Sequence, residues 1–315
     1  MRSAFIDFLE AAAAIDPTLY FIAGDVGFSV IEKFKEKYPQ RYLNAGIAEQ
    51  NMIGVAAGLA MMGKHPYVYS IVPFVTLRCY EQIRNDVCYQ QQPVKLVGVG
   101  GGFQYGAMGT THHALEDVGA LSLLPDITVV VPSTQAELQA LLPQIHAHNG
   151  PLYLRLTNTA LTATGDKPVV LGQPYELIAG DDVIIIGSGY GVELGFHLQK
   201  ELSAMGIACG LVSLHTVSPL PRAWFKSCRP RAIFTIEEHF IAGGIGQAIA
   251  HLAMEIYDYK ITFKAFGVPH SYGHDIGNCT WLREKAGLTV SAILPQIILA
   301  LELTTQTDNK RDSRQ

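Results

Sequence analysis

The feature that most constrains the fold is an alternation along the chain. Short β-branched or aliphatic runs, "LYFIAGD" (19–25), "PYVYSI" (66–71), "PVKLVGVG" (93–100), "ITVVVPS" (127–133) and "PLYLRLTN" (151–158), are separated by stretches with helical spacing at 46–62, 74–90, 114–124 and 134–147. Runs that stay apolar from end to end are strands buried on both faces. That requires a mostly parallel sheet with helices over each side. The pattern then lapses in "TALTATGDKPVVLGQPYEL" (159–177), where Gly, Pro and Thr replace periodicity. It resumes with "DDVIIIGSG" (181–189), a helix to about 205, "IACGLVSL" (207–214), "RAIFTIEE" (231–238), a helix from 243, "ITFKAFGVP" (261–269) and a helix near 291–302. The chain therefore reads as α/β with two domains, each a mostly parallel sheet flanked by helices. The boundaries are 1–160 and 181–303, with a linker at 161–180 and a polar, flexible tail at 304–315.

Composition narrows the function classes. Hydrophobic residues make up 49% of the 315 and charged ones 16%, which implies a large core or a large buried interface. A net charge of −5 without any Lys/Arg cluster argues against a nucleic-acid partner. Cysteines 79, 88, 209, 228 and 279 are scattered with no CxxC pair, as expected of reduced thiols in a cytoplasmic protein. The opening "MRSAFIDFLEAAAAID" reads as an amphipathic helix, and no uninterrupted apolar run approaches 18 residues, so no membrane span is expected.

Four short segments invite a chemical reading. "AGDVG" (23–27) resembles the GDG start of a diphosphate-metal motif, but Val26 replaces the second glycine and the only suitably spaced asparagine, Asn51, lies inside a helical run. "GSGYG" (187–191) follows a strand but lacks the full GxGxxG spacing, and a tight structural turn accounts for it. In "GAMGTTHHALEDVGALSLLPDITVVVPS" (106–133) two adjacent histidines follow a glycine-rich loop. Such a pair could face one cavity for proton transfer, or simply lie on a surface loop; nothing nearby supplies a third metal ligand at a sensible spacing. In "RYLNAGIAEQNMIGVAAGLAMMG" (41–63) a single carboxylate, Glu49, heads an apolar, glycine-rich run. A first-turn Glu favours the helix dipole, and Asn44 could cap the helix. Yet burying an unpaired charge is costly. One further segment, "PFVTLRCYEQIRNDV" (73–87), places Phe74 at the start of an amphipathic helix just past a strand end, where ligands of open α/β sheets bind.

Taken together, these segments resemble the pyrimidine-binding domain of the thiamine-diphosphate transketolase superfamily. That superfamily includes transketolase, 1-deoxyxylulose-5-phosphate synthase and the β subunit of 2-oxo-acid dehydrogenases. "RYLNAGIAEQNMIGVAAGLA" and "GTTHHALEDVGALSLLPDITVVVPS" are similar to its two signature blocks, and the likeness runs from residue 1 to about 300. The resemblance implies that Glu49 holds the N1′ nitrogen of the thiamine diphosphate aminopyrimidine and favours its imino tautomer. A carboxyl group in an apolar setting shares a proton more readily. It implies further that Phe74 stacks on the pyrimidine and that Asp25 approaches the cofactor across a dimer interface. His112 would shuttle protons on the substrate, with His113 a secondary contact, and Arg2 and Ser29 would bind the substrate's anionic end.

The departures from the family's pattern also carry information. The diphosphate-gripping half is missing, which implies the C-terminal subunit of a split transketolase. Its implied partners are a transketolase N-terminal subunit, which holds most of the Mg2+ and diphosphate contacts, and a second copy of itself in an α2β2 assembly. No residue of this chain is assigned as a metal ligand. Asn158, Met108 and Gly100 stand where the family keeps an arginine, an acid and a histidine, which weakens the expectation of ordinary pentose and hexose phosphates. The expected activity is transfer of a two-carbon ketol unit from a ketose to an aldose. The alternatives are a synthase or decarboxylase acting on pyruvate, or a non-catalytic scaffold.

Overall fold

The computed structural model describes residues 1–27 and 30–312, with side-chain surroundings described to Leu303. The first unit carries β1 (Leu19–Ala23), β2 (Tyr42–Asn44), β3 (His65–Ile71), β4 (Lys95–Val99), β5 (Thr128–Val130) and β6 (Leu152–Leu156). The second carries β7 (Tyr175–Ile178), β8 (Val183–Gly187), β9 (Gly210–Ser213), β10 (Thr216–Ser218), β11 (Ala232–Phe240) and β12 (Thr262–Val268). β10 nevertheless belongs to the first sheet, whose order is β10-β5-β6-β4-β3-β1-β2; the second sheet runs β12-β11-β8-β9-β7. Every pairing is parallel except β10 with β5 and β7 with β9, both at sheet edges. The expected two-sheet α/β architecture is therefore present.

Four local expectations need correction. The stretch 161–180 is not all linker, because Tyr175–Ile178 is β7, an edge strand whose Tyr175 hydroxyl donates to the Gly165 carbonyl and accepts the Gly165 N–H. The tail is not frayed over most of its length: the last helix runs Val290–Asp312. No Gly or Pro follows Pro295 to stop it, and extending an existing helix adds a hydrogen bond per residue fixed. The stretch Cys279–Leu303 is, by length and composition, apolar enough to cross a membrane. Here Leu282, Leu288, Ile293 and Ile297 instead pack into the core of the second unit. The single helix expected over 74–90 is broken. It consists of a short helix Val72–Val75, a 3-10 turn Leu77–Cys79, Tyr80–Gln82 and a π-helical segment Ile83–Cys88. Thr76 leaves helical geometry at φ −110°, ψ −79°, while its hydroxyl donates to the Val72 carbonyl at 2.6 Å.

The helix Gln135–Ala147 matches its expected span, and its start is explained locally. The Thr134 hydroxyl accepts the Glu137 N–H at 3.0 Å while the Glu137 carboxylate reaches back to the Ser133 N–H, a capping-box arrangement.

A buried polar seam locks the two units together. Arg155 in β6, 4% exposed, donates from Nη2 to the Ala114 carbonyl at 2.7 Å and the Glu238 carbonyl at 3.1 Å. Glu238 in β11 pairs in turn with Arg283 at 2.6 Å. The loop after β4 can thread this seam only as glycine. A Cβ at Gly101 would lie 2.3 Å from Arg155 Nε, and Gly102, at φ +65°, would put one 2.0 Å from Glu238 Oε2. Removing Arg155 strands two carbonyls and takes the nearest cation from the buried Asp117 carboxylate, which keeps its hydrogen bond from the Tyr153 hydroxyl. Arg155→Ala is therefore predicted to cost about 3–5 kcal/mol in urea unfolding; a loss below about 1 kcal/mol would contradict this role of the seam.

Candidate active site

Glu49 opens the helix Glu49–Met61 and is 2% exposed. Asn44 does not cap that helix: its Oδ1 accepts the Gly46 N–H at 2.7 Å in an Asx turn ahead of it, and Gly46 takes φ +67°. The helix's apolar face, Met52, Ile53, Ala56, Ala57 and Ala60, is buried, and its small residues allow close approach to β3. This seats the Glu49 carboxylate beside the carboxyl ends of β1 and β3. There its Oε1 lies 3.4 Å from the Ser70 hydroxyl. Gly24, just after β1, makes the room: a Cβ on it would stand 3.0 Å from Ser70 Oγ and 3.4 Å from Glu49 Oε1.

Glu49 is not unpaired. Arg78 Nη1 donates to Glu49 Oε2 at 2.6 Å, and the guanidinium lies over the Phe74 ring, 4.2 Å from its centroid. Phe74 and Arg78 stand four residues apart, a spacing that puts both side chains on one side of the segment. Phe74 then meets His112 edge-to-face at 5.1 Å and 69°. The His112 Nδ1 lies 3.0 Å from the Thr111 hydroxyl, with Tyr105 beyond at 6.5 Å between ring centroids. Ser70, Glu49, Arg78, Phe74, His112 and Tyr105 thus form one continuous line at the carboxyl end of the first sheet. Partial burial, helped by the neighbouring His113, holds the His112 imidazole below its usual pKa of 6.5.

The other expected residues divide. Asp25 follows β1 at the same sheet end but is exposed, with Asn44 Nδ2 at 3.5 Å and no contact to the Glu49 line. Arg2 sits at the start of the helix Arg2–Ile15 and acts on the Tyr69 hydroxyl, on the opposite face of β3 from Ser70. Ser29 lies outside the described residues. His113 does not share a cavity with His112. Its backbone is extended (φ −68°, ψ 144°), so the side chains diverge. His113 is 6% exposed, stacks edge-on against Phe103 at 5.2 Å and borders a separate cavity of about 360 Å3 with Leu115, Phe240 and Tyr272.

Sequence reasoning missed Arg78, Ser70 and Tyr105. Ser70 had a signal, as the polar residue in the apolar run "YVYSI", and Arg78 follows Phe74 by four residues. The chemistry of the line is specific. A buried carboxylate acceptor beside an exposed-edge aromatic ring and a glycine-cleared space suits a planar nitrogen heterocycle that donates a hydrogen bond. The residues present therefore fit the aminopyrimidine end of thiamine diphosphate.

Removing Arg78 alone leaves the Glu49 carboxylate buried without its cation. Arg78→Met is predicted to destabilise the chain by about 1–3 kcal/mol, and by less than about 0.5 kcal/mol in a Glu49→Gln background. Equal costs in both backgrounds in thermal or urea melts would show that the pair is not the stabilising contact.

Comparison with known proteins shows the family. Residues 1–164 match the transketolase pyrimidine-binding domain and residues 175–293 the transketolase C-terminal domain. The chain is 33% identical to a 6-deoxy-6-sulfo-D-fructose transketolase subunit of a Clostridium species, over 99% of this chain and 96% of that one. It is 30% identical to one of the subunits of the apulose-4-phosphate transketolase of Actinobacillus succinogenes, over 90% of this chain and 91% of that one. A 1-deoxy-D-xylulose-5-phosphate synthase of Pelotomaculum thermopropionicum is 31% identical over 92% of this chain, which spans only 46% of that enzyme. A solved split-gene transketolase, described as an inactive beta4 tetramer, superposes with a TM-score of 0.85 at 30% identity, covering 96% of this chain and 98% of that one. The Leishmania mexicana transketolase shares the fold, with a TM-score of 0.80 at 20% identity over 45% of its length. With both of its domains matched and relatives of its own length that are split subunits, the chain belongs to the transketolase family as a transketolase-type transferase of the split, C-terminal-subunit kind.

Proposed function

We propose that this chain supplies the pyrimidine-binding half of a thiamine-diphosphate-dependent active site that moves a two-carbon ketol unit from a ketose to an aldose. The observation that carries the proposal is the buried Glu49 carboxylate in line with Phe74 and His112. Glu49 would accept the hydrogen bond of the aminopyrimidine N1′, and Phe74 would cover the ring. When bound, thiamine diphosphate supplies the carbon nucleophile and the electron sink for the transferred unit. Arg78 now occupies both the Glu49 oxygen and the Phe74 face, so it must shift or share them when the cofactor is seated.

His112 is the chain's proton carrier in this reading. It stands at the open edge of Phe74, with Nδ1 at the Thr111 hydroxyl, leaving Nε2 for a substrate hydroxyl or carbonyl. Asp25 is exposed at the same sheet end, and in this reading it would approach the cofactor from a second copy of the chain. Arg2 and Ser29 are proposed for the far, anionic end of the sugar. The substrates in the relatives' names, 6-deoxy-6-sulfo-D-fructose and apulose 4-phosphate, support an anionic sugar as the class. The diphosphate and its Mg2+ fall to a transketolase N-terminal subunit, which gives a cytoplasmic α2β2 heterotetramer.

Two measurements test this. Mixed with a transketolase N-terminal subunit, thiamine diphosphate and Mg2+, the chain is expected to catalyse ketose-to-aldose transfer, and neither subunit is active alone. Glu49→Gln should lower turnover at least about 100-fold without preventing assembly. Turnover by this chain alone would overturn the split site, and turnover of pyruvate in place of a ketose would overturn the donor class.

The lowered His112 pKa sets the sign of the pH dependence. The neutral imidazole is the working form, so activity is predicted to hold at pH 7 and to fall as pH drops through a value below 6.5. His112→Ala should lower kcat about 100-fold and remove that acid limb. An unchanged limb in the variant would assign the titration to another group.

A further inference from the structure

At the opposite end of the first sheet, about 17 Å along β3 from Ser70, three side chains from distant segments converge. Asp16 precedes β1, His65 starts β3 and His146 lies in the last turn of the helix Gln135–Ala147. We propose that Asp16, His65 and His146 form a binding site for a zinc(II)-class divalent cation, separate from the Glu49 line.

The distances favour a shared ion over hydrogen bonds. Asp16 Oδ2 lies 3.5 Å from His65 Nδ1 and 3.4 Å from His146 Nε2, and the three ligand atoms all fall within 4.8 Å of one another. A charge-assisted N–H···O bond to a carboxylate measures about 2.7–2.9 Å. A tetrahedral ion with bonds of about 2.0–2.1 Å separates its ligands by about 3.3–3.4 Å. Two imidazoles and one carboxylate with a fourth position open to solvent is a zinc-type donor set, and all three side chains are about one-fifth exposed, which leaves an entry path.

The surroundings hold two of the ligands in place. The other Asp16 oxygen, Oδ1, accepts the Thr18 N–H at 2.8 Å and the Thr18 hydroxyl at 2.6 Å, which fixes Oδ2 toward the histidines. His146 Nδ1 lies 3.0 Å from the buried Tyr67 hydroxyl, the outer contact that sets a ligating imidazole's tautomer. The neighbouring cations are tied elsewhere: Arg41 donates to the carbonyls of Asp16 and Ala13, and Lys95 to those of His148 and Gly150.

The third ligand must move. The two imidazoles lie nearly parallel, 19° apart with centroids at 4.4 Å, so one ring has to turn before both lone pairs meet at a point. His65 is the ring able to do so, because its buried Nε2 has no hydrogen-bond partner among the described residues and the χ2 torsion of histidine is broad. Binding would cross-link positions 16, 65 and 146, tying the amino ends of β1 and β3 to a helix end.

The test uses the full chain without thiamine diphosphate, titrated with zinc(II) by calorimetry and with cobalt(II) by visible absorption. The expected result is one ion per chain, with the spectrum of four-coordinate cobalt, and a melting temperature raised by about 4 °C at a free zinc concentration 100 times the Kd. Asp16→Asn and His65→Gln should each abolish the cobalt spectrum, and Tyr67→Phe should weaken binding about 10-fold. An absent spectrum in the wild-type chain, or one unchanged in both ligand variants, would overturn the site. Because wild-type binding is itself a readout, a variant that fails to fold does not shield the proposal.

Discussion

The contact on which the rest of the site depends is the ion pair between Glu49 and Arg78. A carboxylate buried to this depth needs a cation or a strong donor beside it, and the guanidinium contact at 2.6 Å supplies one. Several otherwise odd features follow from that need. Phe74 and Arg78, four residues apart in the segment after β3, both reach the pocket. β1 is followed by Gly24, where a larger residue would crowd Ser70 and the carboxylate. The buried face of the helix Glu49–Met61, with Ala56, Ala57 and Ala60 among its residues, packs closely on the sheet. The pocket is built to hold a charge in an apolar place.

What the sequence revealed, and what it hid, follow from the range of the interactions concerned. The parallel sheet was legible because strands buried on both faces are apolar at nearly every position, a local property of "PVKLVGVG", where Lys95 is the exception, and of "DDVIIIGSG". The helix Gln135–Ala147 was legible down to its first residues because its capping box is local as well. Arg78 was hidden because its partner Glu49 lies 29 residues away. The diverging directions of His112 and His113 depend on backbone angles that an HH pair does not encode. The crossing of Thr216–Ser218 into the other unit's sheet required the tertiary arrangement.

The two units act as one body at the site. The loop that carries His112 is anchored through Gly101 and Gly102 against Arg155 and Glu238, which belong to different sheets. The position of His112 relative to Phe74 therefore depends on a seam between the units as well as on the loop itself. In the proposed reaction the second unit would therefore act by holding the His112 loop in place. The first sheet, meanwhile, carries chemistry-bearing groups at both ends. Glu49, Phe74 and His112 stand at the carboxyl ends of its strands, and Asp16, His65 and His146 at the amino ends.

In the proposed assembly this chain holds only the aminopyrimidine end of the cofactor. The most direct measurement is calorimetric titration of thiamine diphosphate, with Mg2+, into the chain alone and into its equimolar mixture with a transketolase N-terminal subunit. Saturable binding in the mixture, at one cofactor per subunit pair and weakened by Glu49→Gln, is the predicted result. Equally tight binding to the chain alone, or binding in the mixture that ignores Glu49, would contradict it.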